Sequence, residues 1–214
     1  MTPIRTPPLN DIWRRIRRFA RTLRRDAGGV AAVEFAMIFP IMLVAFFGTV
    51  ELCAAVAIDR KVTLIARTVS DLTSQAASSV ADSDLTHIFT YGLFIITPYP
   101  GAPIKGQVSE IYVDTNGKAK ISWSKAATIS GNTVTLSSST RNAGDDVTSV
   151  VPAALLVKQT YLIFSEVSYQ YLPIGGGYVM SKTGLNLNDV SYTRPRQNAC
   201  ITYNNLPAGN CPLT

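Results

Sequence analysis

Hydrophobic and polar positions follow three different rhythms along this chain. Apolar residues run almost unbroken from Val30 to Ile58; Val62, Ile65, Val69 and Leu72 then recur at helical spacing, with Arg60, Lys61, Arg67 and Asp71 between them; short alternating runs follow. An apolar run of more than about 20 residues is long enough for a bilayer-crossing helix. The i, i+3, i+4 spacing after it marks one apolar helix face with a polar back. The pattern therefore predicts one helix from about Val30 to about Ser78. Residues 30–58 would lie in a membrane, and residues 59–78 would pack on the chain's own domain or on neighbouring subunits. Pro40 falls inside the run, where membrane helices tolerate it at the cost of a bend.

Beyond Ser83 the texture turns to short β-rich runs separated by Gly, Asn and Pro. Val108 to Asp114 and Lys118 to Trp123 flank Thr115-Asn116-Gly117, and Asn-Gly favours the tight turn that matches strand twist, so this is the clearest hairpin. Ser130-Gly131-Asn132-Thr133 is a weaker candidate for a second turn. Tyr161, Ile163, Ser165, Val167, Tyr169 and Tyr171 alternate with Leu162, Phe164, Glu166, Ser168 and Gln170, which predicts a long strand ended by Pro173. A shorter strand is expected near Val190 to Thr193, and a turn or two of helix over Pro152 to Val157. The fold class expected is α+β, a long N-terminal helix (transmembrane, then amphipathic) packed on an antiparallel β-sheet domain.

Length and charge sharpen this outline. With 214 residues, 47% of them hydrophobic, the chain has room for one membrane helix and one domain with a core of its own. The formal net charge of +6 would raise nucleic-acid binding as a reading, but the surplus sits at one end. Residues 1–29 carry eight arginines against Asp11 and Asp26, which accounts for the whole surplus. The rest is neutral, so a phosphate-binding domain loses its support. Basic residues beside an apolar span are retained on the cytoplasmic side during insertion, which places the N-terminus inside and everything after Asp59 across the membrane. A cleaved secretory signal has an apolar core of only about 7–15 residues, shorter than this run. Trp13, Ile16, Phe19, Ala20 and Leu23 recur at helical spacing between the arginines, a pattern suited to anionic lipid.

In an oxidising compartment Cys200 and Cys211, flanking an Asn/Pro/Gly-rich tail, could close a short disulfide loop, whereas Cys53 in the apolar run reads as a small buried hydrophobe. Catalytic chemistry finds little footing. His87 is the lone histidine, and no G-x-S-x-G, Walker loop or H-E-x-x-H occurs, so neither an enzyme nor a cofactor or metal is expected. Gly175-Gly176-Gly177 reads as a turn and not as a phosphate cradle. Asp82 with Asp84, and Asp145-Asp146, read as solvated loop carboxylates before they read as cation ligands. The tyrosines at 161, 169, 171 and 178 read as strand packing.

Glu34 is the exception. A carboxylate in an inserted helix costs roughly 2.5–3.5 kcal/mol at the bilayer centre by insertion scales, so one there is read as functional. If a peptidase cut between Gly29 and Val30, Glu34 would become the fifth residue of a chain with a new α-ammonium. In a helical array one subunit's Glu34 could meet its neighbour's amine, and the need for that partner would set the axial register. The competing reading keeps the leader, with Glu34 snorkelling to the cytoplasmic interface.

The run Arg24-Arg25-Asp26-Ala27-Gly28-Gly29-Val30-Ala31-Ala32-Val33-Glu34-Phe35-Ala36 resembles the N-terminus of the TadE-like proteins of the tight adherence (Flp) pilus system. Its G-x-x-x-x-E followed by an aromatic is similar to the site at which that system's prepilin peptidase processes pilins and pseudopilins, which implies cleavage after Gly29. Glu166-Val167-Ser168-Tyr169-Gln170-Tyr171-Leu172-Pro173 resembles a strand near the end of such proteins' periplasmic part, and Arg194-Pro195-Arg196 a patch of their C-terminal region. Phe35 stands where major pilins have tyrosine, the C-terminal part is far larger than a major pilin's, and no D-x-S-x-S metal motif of the TadG type occurs, so a minor component fits best.

The organisation that follows is a basic leader (1–29), a transmembrane helix (30–58), its periplasmic extension (59–78) and a periplasmic α+β domain (79–214). The resemblance implies a pseudopilin in the inner membrane, a single-pass protein with a cytoplasmic N-terminus. Its implied partners are other pilins and pseudopilins, the prepilin peptidase and the pilus assembly platform, with no nucleic acid. The alternative from another class is an uncleaved membrane-anchored periplasmic binding domain or enzyme. An N-terminus at Val30 discriminates the first from the second.

Overall fold

In the computed structural model the described residues are 17, 29–99, 104–173, 184–204 and 211. The basic leader (Arg17 apart), Gly175-Gly176-Gly177, Tyr178 and the tail at 205–210 lie outside them. The chain forms two units, Met1–Val50 and Glu51–Thr214.

A single helix, α1, runs from Gly29 to Ser74 and continues through Pro40. Its residues from Gly29 to Val50 are all exposed. The first fully buried side chain is Ile58, followed by Val62, Ile65, Ala66 and Val69, one face of the helix at the spacing the sequence carries. The helix stops at Ser74 and not at Ser78, because Ser79–Val80 leaves it as strand β1. Cys53 is exposed on α1, which corrects the expectation of a buried thiol.

A second helix, α2, spans Asp82–Ile96 where short β-rich runs were expected. Its buried residues Leu85, Ile88, Phe89, Gly92 and Ile96 recur at i, i+3, i+4 spacing, and that period overrides the β-branched and aromatic composition of the segment. Asp84 in its first turn accepts the Ala81 backbone N–H at 2.9 Å, so this carboxylate caps a helix.

Five antiparallel strands follow: β2 (Ile104–Val113), β3 (Ala119–Ser130), β4 (Thr133–Ser138), β5 (Thr160–Tyr171) and β6 (Leu185–Thr193), in the spatial order β4-β3-β2-β5-β6. The Asn116-Gly117 hairpin forms as expected, with Gly117 at φ 81°, and Gly131-Asn132 links β3 to β4. A 3-10 turn at Ala153–Leu155 precedes β5. The last strand, β7 (Thr202–Tyr203), pairs in parallel with β1.

The sheet has one apolar core on each face. On one side α1 and α2 cover Ile104, Val108, Trp123, Ala127, Ile129, Ile163 and Val167. Gly106 sits beneath α2 so closely that an added Cβ would lie 2.5 Å from a ring carbon of Phe89. On the other side the segment carrying Val147 and Val151 covers Ile111, Val113, Ile121, Leu162 and Phe164. In β3 a bulge lets odd-numbered residues serve both cores, Ile121 on one face and Trp123 on the other. Glu110 pairs with Trp123 and Ile111 with Ile121, so Ser122 is skipped and the side-chain alternation changes phase there.

Candidate functional site

The residues singled out for assembly lie at the start of α1. Gly29 is the first described residue of the helix, Val30 and Phe35 are each 59% exposed, and the Phe35 and Phe39 rings lie 5.3 Å apart, one turn on. Val30 and Glu34 stand four residues apart and therefore on one helix face, with the Glu34 side chain leaning back toward the N-terminus as helical side chains do. Val33, Met37, Ile38, Phe39, Ile41, Met42, Val44, Phe46 and Phe47 are all exposed as well. A helix apolar all round needs lipid or other apolar helices about it. By length and composition α1 can cross a membrane.

The second acid of the apolar run is held by the sheet. Glu51 accepts a 2.6 Å hydrogen bond from the Tyr171 hydroxyl at the end of β5. Burial, with that carboxylate adding to it, pushes the Tyr171 phenol up to about 12. Further along, Thr63 donates to Asp189, Ser70 donates to Ser191, and Thr193 donates to the Ser70 carbonyl, so α1 lies over β6 through a polar seam. Lys61 donates to the carbonyls of Ile95 (2.6 Å) and Thr97 (2.7 Å) and so closes the C-terminal end of α2.

Sequence reasoning missed Glu110. Its side chain is fully buried; one oxygen accepts the Ile201 N–H at 2.6 Å, while its other oxygen and the hydroxyl of bulged Ser122 have no hydrogen-bond partner. Burial raises its carboxyl to about 7, against the lowering effect of that N–H. Trp123, its cross-strand partner, donates its indole N–H to the Ile201 carbonyl at 2.6 Å. Both backbone groups of Ile201 are thus held by side chains of two paired strands. Cys200 and Cys211 form a disulfide beside Tyr112 and Tyr161, and Arg196 pairs with Asp71.

Other candidates fall into structural roles. His87 is exposed on α2. Asp145 accepts the Asn142 N–H, and Asp146 accepts the N–H and hydroxyl of Thr148, which hold turns together. Glu166 receives Arg141 at 2.6 and 2.8 Å and Gln107 at 3.0 Å. Tyr161, Tyr169 and Tyr171 are buried in strand packing. Among the described residues no group of three or more His, Cys, Asp or Glu side chains is placed to hold a metal ion.

From Gly29 to Val50 α1 is exposed and apolar, and past Glu51 it turns amphipathic. Residues 29–71 match the TadE-like protein family. The TadE-like stretch coincides with α1 almost to its end. The sheet domain lies outside that match. No curated protein and no solved structure matches the chain.

Proposed function

We propose that this chain is a TadE-like pseudopilin, a minor structural or assembly component of a tight adherence pilus in the inner membrane. One observation carries the reading: the TadE-like match covers residues 29–71 of α1, whose stretch from Gly29 to Val50 is exposed and apolar, with Glu34 near its start. The prepilin peptidase removes the leader after Gly29, and the new Val30 amine of one subunit pairs with Glu34 of another. The arginines keep the N-terminus cytoplasmic, so the sheet domain faces the periplasm, where the Cys200–Cys211 disulfide is stable. The membrane-embedded part is shorter than 30–58, because Glu51 is already engaged by the sheet domain. From Val30 to Val50 the helix rises about 30 Å, the thickness of a bilayer's hydrocarbon core.

N-terminal sequencing of the protein extracted from membranes tests the reading. A mature chain starting at Val30 is expected. A chain that keeps its arginine leader while pili form normally overturns the pseudopilin role and leaves an anchored periplasmic module.

A further inference from the structure

Among the described residues, the strands and their flanking residues carry fewer charges at one end of the sheet domain than at the other. Strand β5 and the part of α1 beside it run in opposite directions. Tyr171 reaches Glu51, while Ile163 pairs with Thr193, whose hydroxyl bonds to Ser70. Eight residues of strand and nineteen of helix both span about 27–28 Å, so strand and helix share one axis. The end of the domain holding Tyr171 is therefore the end at which the apolar helix enters. Among the described residues, 97–99, 129–133, 168–173 and 184–188 hold no Asp, Glu, Lys or Arg, and the charged side chains that reach this end from α1 are engaged: Glu51 by the Tyr171 hydroxyl, Lys61 by the Ile95 and Thr97 carbonyls and over the Tyr99 ring. Leu172 and Leu185 are 55% and 42% exposed there, beside the half-buried Tyr99. Charges begin one step along the strands, at Lys105 and Asp189. The opposite end carries Asp114, Lys118, Lys120, Asp146 and Lys158.

We propose that this end, with Tyr99, Tyr171, Leu172 and Leu185, rests on the surface of the bilayer that α1 enters. Apolar and tyrosine side chains are favoured at headgroup depth, where a ring or methyl group leaves water while hydroxyls and carbonyls stay hydrated. Chain connectivity puts the bilayer there. Glu51 directly follows an apolar stretch that is only as long as the hydrocarbon is thick, so little chain remains to lift its Tyr171 partner away from the interface. The Tyr171–Glu51 bond then supplies the acid at the membrane boundary with a donor. The proposal needs only that the helix crosses a bilayer, so it can fail while the pilus role stands, and the reverse.

The test uses the full chain in phosphatidylethanolamine/phosphatidylglycerol vesicles, with insertion shown by resistance to carbonate extraction. Tryptophan is placed singly at Leu172→Trp, at Leu185→Trp and, at the far end, at Lys118→Trp, and each signal is read against the chain without the added tryptophan. Lipids brominated high on the acyl chain should remove most of the added emission at 172 and 185 and little at 118, and aqueous iodide should do the opposite. Emission at 172 and 185 that iodide quenches as readily as at 118, with no loss to brominated lipid, overturns the proposal. So does shielding from both quenchers that deepens as more protein is packed per vesicle, which would put a neighbouring subunit on this surface. A chain that carbonate extracts removes the membrane itself and the proposal with it.

Discussion

Glu110 and Ile201, far apart in the chain, meet in the core, where the carboxylate accepts the backbone N–H at 2.6 Å. The carboxyl is raised from 4.5 to about 7 chiefly by burial. Between those values the folded state binds more protons than the unfolded chain, so stability falls as pH rises through the window, by about 3 kcal/mol in total. Glu110→Gln keeps an acceptor for Ile201 and removes the ionisation. Urea melts of the detergent-solubilised protein should show the wild type weaker at pH 8 than at pH 5, and the variant nearly flat. Equal slopes in the two proteins would mean that Glu110 is not the titrating group.

Gly106 and Phe89 make a second relationship that permits only one size of side chain. A methyl at position 106 would enter the ring of a fully buried Phe89 at 2.5 Å, between a sheet and a helix that cannot easily part. Gly106→Ala should therefore destabilise by about 1–3 kcal/mol, although alanine usually suits a strand better than glycine. Thermal melting should show the loss, and Phe89→Leu in the same chain should recover part of it. If the single variant is as stable as wild type, α2 sits further from the sheet than the contact implies.

These two sites also show where sequence reading succeeds and where it stops. Helix α1, the Asn116-Gly117 hairpin and β5 were legible because each is set by a local period or turn. Helix α2 was missed, since Thr86, Ile88, Phe89, Thr90 and Tyr91 favour strands locally; its helical burial spacing was present but competed with that composition. Strand β6 runs back to Leu185 because β5 offers partners as far as Tyr171, and Asn186 and Asn188 give no local sign of it. Glu110 looked like an ordinary polar position on a strand. Its burial depends on a bulge at Ser122 and on the arrival of Ile201, neither of which has a periodic signature. Glu51 is the second acid of the apolar run, but its partner, Tyr171, belongs to a distant strand.

The disulfide fastens a segment that Glu110 and Trp123 already grip. Its cysteines are 11 residues apart in sequence, and closing a loop of that size contributes about 3 kcal/mol in the chain-entropy model. Because Ile201 is held independently, Cys211→Ser should loosen the residues beyond it more than the sheet. Limited proteolysis should cut the variant faster near its C-terminus while a protected sheet core remains. Unchanged resistance would show that the bond is not formed in the mature protein.

Glu34 bears on assembly and is the one prediction that reaches outside the fold. It stands on an exposed helix face one turn from Val30, with none of the buried contacts that hold Glu51 or Glu110. Removing it by Glu34→Ala costs the folded domain nothing and eases entry of the helix into lipid, so membrane levels and processing should be unchanged or slightly raised. If its charge pairs with a neighbour's amine, pili should be lost in this variant. Glu34→Gln separates charge from shape: it keeps size and hydrogen-bonding capacity but leaves an ammonium unpaired in lipid, so it should fail as alanine does. Electron microscopy counts of pili on cells expressing each variant, alongside immunoblots of membrane fractions, check both expectations. Normal piliation with glutamine would show that shape and not charge matters at this position; normal piliation with both would remove Glu34 from assembly.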